Sequence, residues 1–239
     1  MIKYKVYIKA IFVILIIAGL FGFANHRNSI RKIVDIEVNF EGGDSLFVTN
    51  NEVNKLLIQN SGNIKNKSKE SILLKVMEQG IMKNKMIENA EVYMTIDGIL
   101  KVSVLQKKPI ARIVVNGTSY YLDRQGEKMK LSSNYSARVP IVEGVLGKDD
   151  LEQVFQFIKQ VLKDDFMKKQ IIGVKIKQNK FFDLKTRMGN QLIEFGKLEN
   201  IENKINKIKA FYQKMDKDKS INKYSKINLE YNKQIVCTK

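Results

Sequence analysis

The side chains that most often carry catalysis or bind metals are scarce in this chain of 239 residues. It has one histidine, His26, and one cysteine, Cys237. A single cysteine excludes an internal disulfide framework and a cysteine-based zinc site. A single histidine excludes a histidine-rich metal centre and argues against a histidine-dependent catalytic triad. We therefore expect no cofactor and no metal.

Carboxylates are the remaining candidates for acid–base chemistry. Four of them could in principle pair: Asp123, Glu143, Asp183 and Glu194. Each falls in or beside a predicted strand or turn, where a solvated carboxylate is the common case. The sequence also lacks the spacing of a phosphate-binding glycine loop and of a serine nucleophile elbow. We predict that the protein is not an enzyme, with a membrane-anchored cell-wall enzyme as the less favoured alternative.

The strong positive charge indicates an acidic or lipid partner rather than nucleic acid. The chain carries 42 Lys+Arg against 25 Asp+Glu, a net charge of +17, and only 6 of the basic residues are arginine. Nucleic-acid interfaces favour arginine with interleaved aromatic side chains, and this chain has no tryptophan. No nucleic-acid partner is expected. Attraction to anionic headgroups or acidic partners fits better.

An apolar run near the start of the chain predicts a membrane anchor. Residues 10–24 read AIFVILIIAGLFGFA. Extended back to residue 6, the run spans about 28 Å as a helix, close to the roughly 30 Å of bilayer hydrocarbon. The residues assigned to the span are Ala10, Ile14, Ile17, Phe21 and Ala24.

A cleaved signal peptide is the competing interpretation, because Gly22 and Ala24 lie where a signal peptidase reads small residues. The length of the run favours the anchor. Residues 1–9 are then a cytoplasmic head too short to fold, and the 215 residues after the run are extracytoplasmic. This predicts a single-pass protein of the bacterial inner membrane with its bulk in the periplasm.

The first part of the exported chain predicts the element order β-α-α-β-β over residues 33–107. Residues 33–40 alternate apolar and polar side chains, as a half-buried strand does. Thr49 and Glu52 form a capping box that opens a helix. Asp97-Gly98 indicates a two-residue hairpin between strands 87–96 and 99–105. Before this hairpin, a second helix is expected over residues 69–83, with its core face formed by Ile72, Leu73, Val76, Met77 and Ile81.

Residues 108–239 predict a second domain. Short strands are expected from residue 110 onward, with helices over residues 149–166 and 197–215 and a terminal strand over residues 226–236. The predicted fold class is α+β: one N-terminal transmembrane helix, a β-α-α-β-β module, and a mixed, mainly antiparallel sheet with flanking helices.

The terminal strand suggests a way to bind a partner. A last strand is often an edge strand, and an edge offers unpaired N–H and C=O groups to an incoming strand. The alternative is that this strand is paired on both sides. The residues proposed for partner binding are Ser225, Lys226, Ile227, Asn228, Leu229, Glu230 and Tyr231.

Several motifs, in shared order and spacing, resemble the bacterial cell-division family FtsQ/DivIB, specifically its Bacteroidetes form. The β-α-α-β-β order is that of the family's POTRA module, and Gln106 stands where many relatives carry Glu. The segments that carry the resemblance are Asp97–Val104 with Gln106–Ala111, Tyr120–Gly126, Tyr135–Gly144, Met188–Gln191 with Ile193–Gly196, and Tyr224–Cys237.

The resemblance implies a non-enzymatic scaffold of the divisome. In the family, POTRA helps recruit the protein to the division site, and the last strand of the β domain receives a strand from FtsB, which is paired with FtsL. The complex regulates septal peptidoglycan synthesis. These properties imply a mid-cell location at division and FtsB/FtsL-type partners for Ser225–Tyr231. The runner-up is a POTRA-containing outer-membrane assembly factor.

Overall fold

A computed structural model describes residues 2–29, 32–42, 46–61, 74–144, 147–231 and 234–239. The chain divides into two compact units, Met1–Gln106 and Lys107–Lys239. The architecture is α+β, as the sequence predicts.

The chain begins with an apolar helix, α1 (Ile2–Ser29). Within it, Tyr7–Ser29 is long and apolar enough to cross a membrane, and none of this span is buried against the rest of the protein. These 23 residues measure about 34 Å along a helix axis, compared with roughly 30 Å of hydrocarbon. The predicted span 10–24, including Ala10, Ile14, Ile17, Phe21 and Ala24, lies inside this helix and is solvent-exposed along its length.

The first unit continues as a three-stranded sheet with two helices. Its elements are β1 (Asp35–Phe40), α2 (Asn50–Ser61), α3 (Leu74–Met82), β2 (Ile87–Met94) and β3 (Ile99–Gln106). The predicted β-α-α-β-β order is confirmed. β3 is central, parallel to β1 and antiparallel to β2. The core side chains that are at most 1 % exposed are Ile33, Val48, Val53, Leu57, Met77, Ile81, Leu100, Val102 and Val104.

Local hydrogen bonds form this unit's turns and caps much as the sequence predicts. The Thr49 N–H donates to Glu52 Oε2 at 2.7 Å and the Glu52 N–H donates to Thr49 Oγ1 at 3.3 Å, so the capping box is confirmed. The hairpin between β2 and β3 is also confirmed, but its loop is one residue longer than predicted. Thr95 N–H bonds the carbonyl of Ile99 and Gly98 N–H that of Thr95, with Gly98 at φ +85°. A three-residue loop needs this left-handed residue, which glycine adopts without strain.

The core face predicted for the second helix is partly wrong. Met77 and Ile81 are buried as expected, whereas Val76 is 44 % exposed. Met77, Gly80 and Ile81 follow the i, i+3, i+4 spacing of one helix face, and Val76 lies about 100° away from Met77 around the axis. Residues 69–73, with Ile72 and Leu73, lie outside the described residues.

The second unit is built on a nine-stranded sheet. Its strands are β4 (Pro109–Val115), β5 (Thr118–Asp123), β6 (Lys128–Met129), β7 (Ile141–Glu143), β8 (Ile171–Ile176), β9 (Phe182–Thr186), β10 (Leu192–Gly196), β11 (Lys226–Asn228) and β12 (Val236–Thr238). The sheet order is β12-β11-β10-β9-β8-β7-β4-β5-β6. Five neighbouring pairs are antiparallel and three are parallel, so the predicted mixed, mainly antiparallel sheet is confirmed.

Three helices cover the apolar face of this sheet: α4 (Lys148–Lys163), α5 (Asp165–Gln170) and α6 (Ile201–Lys217). The predicted helix 149–166 is therefore two helices, because the Asp164 side chain caps α5 by accepting from the Met167 N–H at 3.0 Å. On α4, Phe157 is fully buried and packs against Phe182 and Phe195. The predicted helix 197–215 begins at Ile201.

Gln106 and Lys107, the two residues at the boundary between the units, each form side-chain hydrogen bonds within their own unit. Gln106 Oε1 accepts the N–H groups of Phe47 and Val48 at 2.8 and 3.0 Å. Lys107 Nζ lies 2.6 Å from both Asp123 Oδ2 and Glu127 Oε2. Asp123 is fully buried, and its other oxygen accepts from the N–H of Gln125 and of Glu127.

This environment sets the charge state of Lys107. Burial acts to lower the pKa of the ammonium group, but the hydrogen bonds to Asp123 and Glu127 outweigh it and raise the pKa. A raised folded-state pKa means that the pair's contribution to stability is complete at neutral pH. On the alkaline side, this contribution is lost as the pH rises through that raised value.

Replacing Gln106 with Leu is expected to destabilise the first unit. The substitution leaves the N–H groups of Phe47 and Val48 without this acceptor, at a cost of about 1–3 kcal/mol for each buried group. Hydrogen–deuterium exchange should become faster at these two amides in Gln106→Leu. Gln106→Glu is the matched control, because a carboxylate oxygen can accept both bonds. Unchanged exchange in Gln106→Leu would contradict this role.

Replacing Lys107 with Met is expected to destabilise the second unit by about 3–5 kcal/mol, because the buried Asp123 carboxylate loses its cation. The double variant Lys107→Met/Asp123→Asn should recover most of this loss, since the amide oxygen still accepts the two backbone N–H groups and carries no charge. Urea unfolding followed by circular dichroism measures both. The prediction fails if the double variant is no more stable than the single one.

Candidate partner-binding edge

The end of the nine-stranded sheet is a hairpin made of β11 and β12. β11 runs parallel to β10, with Ile227 opposite Ile193. β12 runs antiparallel to β11, with Cys237 opposite Ile227. β12 is therefore the outermost strand on this side of the sheet.

The prediction of one terminal edge strand over residues 226–236 is wrong, because this segment contains β11 and the start of a second strand, β12. Lys226–Asn228 have strand neighbours on both sides. β12 runs back along β11, and pairing with it satisfies backbone groups of β11 that would otherwise face solvent. The polar stretch Asn232-Lys233-Gln234 between two apolar runs is a sequence signal for two strands rather than one.

The predicted partner-binding residues divide into two groups. Ile227 and Leu229 point into the core and are 0 % and 1 % exposed. Those at the surface are Ser225, Lys226, Asn228, Glu230 and Tyr231, of which Tyr231 is 52 % exposed. Ile227 and Leu229 therefore fasten the segment to the sheet, and only the others can reach a partner with their side chains.

Glu194 on β10 organises the polar side of this hairpin. Its Oε1 lies 3.3 Å from Lys226 Nζ and 3.9 Å from Lys177 Nζ. Its Oε2 accepts from Asn228 Nδ2 at 3.0 Å. Lys177 also pairs with Asp183 at 2.9 Å, and this hydrogen bond is the largest reason that the pKa of Lys177 is raised. Among the described residues, Glu194 and Asp183 are thus occupied by lysines rather than free for acid–base work.

Backbone geometry ends β11 soon after Asn228. The Leu229 N–H donates to the carbonyl of Glu194 at 2.9 Å, and the Glu230 N–H donates to Asn228 Oδ1 at 2.8 Å. The second bond is an Asx turn, which breaks the ladder. Glu230 then passes over Gly196, where φ is +74° and an added Cβ would lie 2.8 Å from Glu230 Cγ. Glycine adopts this left-handed conformation without strain, and any side chain here would also force Glu230 to shift.

Helix α6 is hydrogen-bonded to the strand next to the hairpin, β10, and to the residues that flank it. Lys204 Nζ donates to the carbonyls of Phe195 and Lys197, each at 2.8 Å, and burial lowers its pKa. The Tyr212 hydroxyl donates to Gln191 Oε1 at 2.8 Å. These contacts hold the start and the middle of α6 against β10 and its flanking residues, and β10 is the strand that pairs with β11.

The outermost strand combines an open backbone edge with a partly buried thiol. The Thr238 carbonyl accepts from the Ser225 N–H at 2.9 Å, closing the hairpin. Val236 is 39 % exposed, whereas Cys237 packs against the core, and burial raises the pKa of its thiol. No strand of the described chain pairs with the outer side of β12. Chemically, this side can accept an extended segment through main-chain hydrogen bonds.

The other carboxylates weighed in the sequence lie apart from this edge. Asp123 is bound by Lys107, and Glu143 is exposed on β7. Within the residues described, no group of three or more His, Cys, Asp or Glu side chains could hold a metal ion.

Comparisons with known proteins agree with this architecture. Residues 108–238 match a family described as FtsQ/DivIB, C-terminal related, and residues 32–105 match a POTRA-like domain. A search of curated proteins found no match.

Solved structures include one similar protein of the division apparatus. It is the major extracytoplasmic domain of the trans isomer of the cell-division protein DivIB from Geobacillus stearothermophilus. The match has 13 % identity, covers 34 % of this chain and 71 % of that chain, and has a TM-score of 0.26. Since the first family match alone covers more than half of the sequence, this chain is a division-associated protein with a POTRA-like domain and belongs to the FtsQ/DivIB family.

Proposed function

We propose that this protein is a non-enzymatic, membrane-anchored scaffold of the divisome. Its extracytoplasmic β domain binds FtsB/FtsL-type division proteins by strand addition at the terminal hairpin. The binding surface comprises Ser225–Tyr231 with the outer side of Val236–Thr238. Through this contact the protein helps regulate septal cell-wall synthesis.

The observation that supports the proposal is the outer side of β12, which is unpaired within the described chain. Strand addition uses main-chain groups, so it tolerates the absence of special side chains. The edge is also rigid enough to be recognised, because Ile227 and Leu229 are buried beneath it. A preformed edge lowers the ordering cost of binding.

The family and the apolar helix α1 fit a single-pass protein of the inner membrane. We place the N-terminal head in the cytoplasm and both folded units in the periplasm, with concentration at mid-cell during division. The FtsQ/DivIB family is a cell-division scaffold type rather than a known enzyme family. The pairing of Asp123, Asp183 and Glu194 with lysines is consistent with a non-enzymatic role.

A photo-reactive amino acid placed at Val236 should crosslink the FtsB-type partner in dividing cells. The same residue at Lys128 is the matched control, because β6 lies at the opposite end of the same sheet. Crosslinks are expected from position 236 and not from position 128, since only the former borders the proposed edge. Immunoblotting for the tagged partner measures the outcome. Equal crosslinking from both positions would contradict strand addition at β12.

Proline substitutions test the main-chain character of the contact. Consecutive N–H groups of a strand point to opposite sides, so Cys237→Pro and Thr238→Pro each remove a donor from a different side. One variant should lose the hairpin with β11, and the other should keep the fold but lose partner capture. Hydrogen exchange identifies the folded variant and co-purification measures capture. Normal capture by the folded variant would overturn the edge assignment. Leu229 is unsuitable for proline, because its N–H bonds Glu194.

A fluorescent fusion at the Met1 end should form a mid-cell band that constricts with the septum in dividing cells of the native host. Recruitment to the division site is the physical basis of the proposed scaffold role. A uniform envelope signal in dividing cells would instead favour the outer-membrane assembly or enzyme alternatives.

A further inference from the structure

The second unit contains a basic cavity of about 560 Å³. It opens between the β5–β6 turn, the segment before β7, and helices α4 and α5. Its lining residues are Pro109, Ile110, Arg124, Arg138, Val139, Pro140, Lys159, Leu162, Lys163 and Lys168. This volume falls in the range of ordinary small-molecule sites.

The lining combines five cations with an apolar floor and has no carboxylate. The cations are Arg124, Arg138, Lys159, Lys163 and Lys168. None of them forms an ion pair with another residue in the part of the chain that the structure describes. Lys159 makes a single cation–π contact, 5.0 Å from the Phe155 ring centre. Like charges gathered in a concave surface repel each other and raise the local concentration of anions.

Three carboxylates close in sequence to these cations, Asp123, Glu127 and Asp164, are bonded to lysines outside the cavity. Asp123 and Glu127, on either side of Arg124, are both bound by Lys107 at 2.6 Å. Asp164, next to Lys163, is bound by Lys209 at 2.6 Å, and this hydrogen bond is the main reason that its pKa is lowered. Among the described residues, these three carboxylates do not neutralise the cations of the cavity, and an anionic ligand can do so.

The turn that carries Arg124 is braced by its own backbone bonds. Asp123 Oδ1 accepts the N–H groups of Gln125 and Glu127 at 2.9 and 2.8 Å. The turn is also closed by the Gly126 N–H, which donates to the Asp123 carbonyl at 3.1 Å. A fixed turn pre-organises the charged side chain that it presents.

The segment that carries Arg138 is held in a similar way. The Tyr121 hydroxyl, on a side chain that is 1 % exposed, accepts from the Ala137 N–H at 2.9 Å. The Arg112 N–H donates to the Pro140 carbonyl at 2.9 Å. The two conspicuous sequence motifs, Tyr120–Gly126 and Tyr135–Gly144, thus meet in presenting one arginine each to the same cavity.

Arginine is the informative residue type here. The chain has only 6 arginines among 42 basic residues, so two of them in one cavity stand out from the lysine-rich background. A guanidinium group donates two parallel hydrogen bonds to a phosphate or carboxylate, which an ammonium group cannot do. The three lysines add compact charge suited to the second and third negative charges of a phosphate ligand.

We propose that this cavity is a binding site for a phosphate-bearing ligand, with Arg124 and Arg138 as the principal contacts and Lys159, Lys163 and Lys168 as supporting charges. Ile110, Val139 and Leu162 provide apolar surface for whatever adjoins the phosphate. The phosphate can belong to a soluble molecule or to a lipid headgroup. This site is independent of strand addition at β12.

Titration of inorganic pyrophosphate into the full chain in nanodiscs of zwitterionic lipid tests the site by isothermal calorimetry. Saturable binding is expected, weakening as salt is raised. Arg124→Gln/Arg138→Gln should weaken it at least tenfold. Both side chains are exposed, and circular dichroism confirms that the variant is folded.

The matched control is Arg187→Gln/Lys214→Gln, which removes the same charge from exposed positions outside the cavity. It should keep wild-type affinity. An absence of saturable binding, or equal weakening in the two variants, would overturn the proposal, because binding would then reflect only the overall charge.

Nanodiscs containing anionic phospholipid separate the two sources of phosphate. If lipid headgroups occupy the cavity, they compete with pyrophosphate, so the wild-type chain should bind pyrophosphate more weakly in these discs than in zwitterionic ones. If pyrophosphate affinity is the same in both kinds of disc, the ligand is a soluble phosphate. Both results support the site, and they assign its ligand to the membrane or to solution.

Discussion

The two folded units depend on buried hydrogen-bonding side chains at adjacent positions of the chain. Gln106 reaches across the first unit to backbone groups 59 and 58 residues earlier in the sequence. Lys107 reaches into the second unit, to carboxylates 16 and 20 residues later. Each contact closes a long loop by satisfying groups that would be costly to bury alone. The two residues at the boundary between the units, Gln106 and Lys107, are therefore each hydrogen-bonded within their own unit.

The features that the sequence predicted correctly are those set by residues close together in the chain. The Thr49–Glu52 cap, the left-handed Gly98 and the Met77/Ile81 helix face are each specified by residues within one turn of each other. The alternation of apolar side chains also located most strands. These patterns were sufficient for the fold class because they fix element type without requiring knowledge of what each element packs against.

The signals that failed concern pairing at a distance. The parallel contact of β10 with β11 is made across α6, and no short-range pattern specifies it. A terminal run of strand-forming residues predicts an edge at Ser225–Tyr231, since a last strand is often an edge strand. The run itself does not indicate whether a further strand folds back against it. The burial of Ile227 and Leu229 followed from their apolar character, but the identity of the outermost strand depended on how the whole sheet is assembled. The basic cavity was missed for the same reason, since Arg124 and Arg138 meet only through tertiary structure.

The partial burial of Cys237 has a consequence for the chemical stability of the edge strand that contains it. The thiolate, and not the thiol, attacks disulfides and is oxidised, so a raised pKa slows both reactions at neutral pH. A single reactive sulfur on an outermost strand would invite covalent joining of two copies in an oxidising compartment. Packing that side chain partly against the core reduces the exposure of the thiol while the outer side of the strand keeps its backbone open.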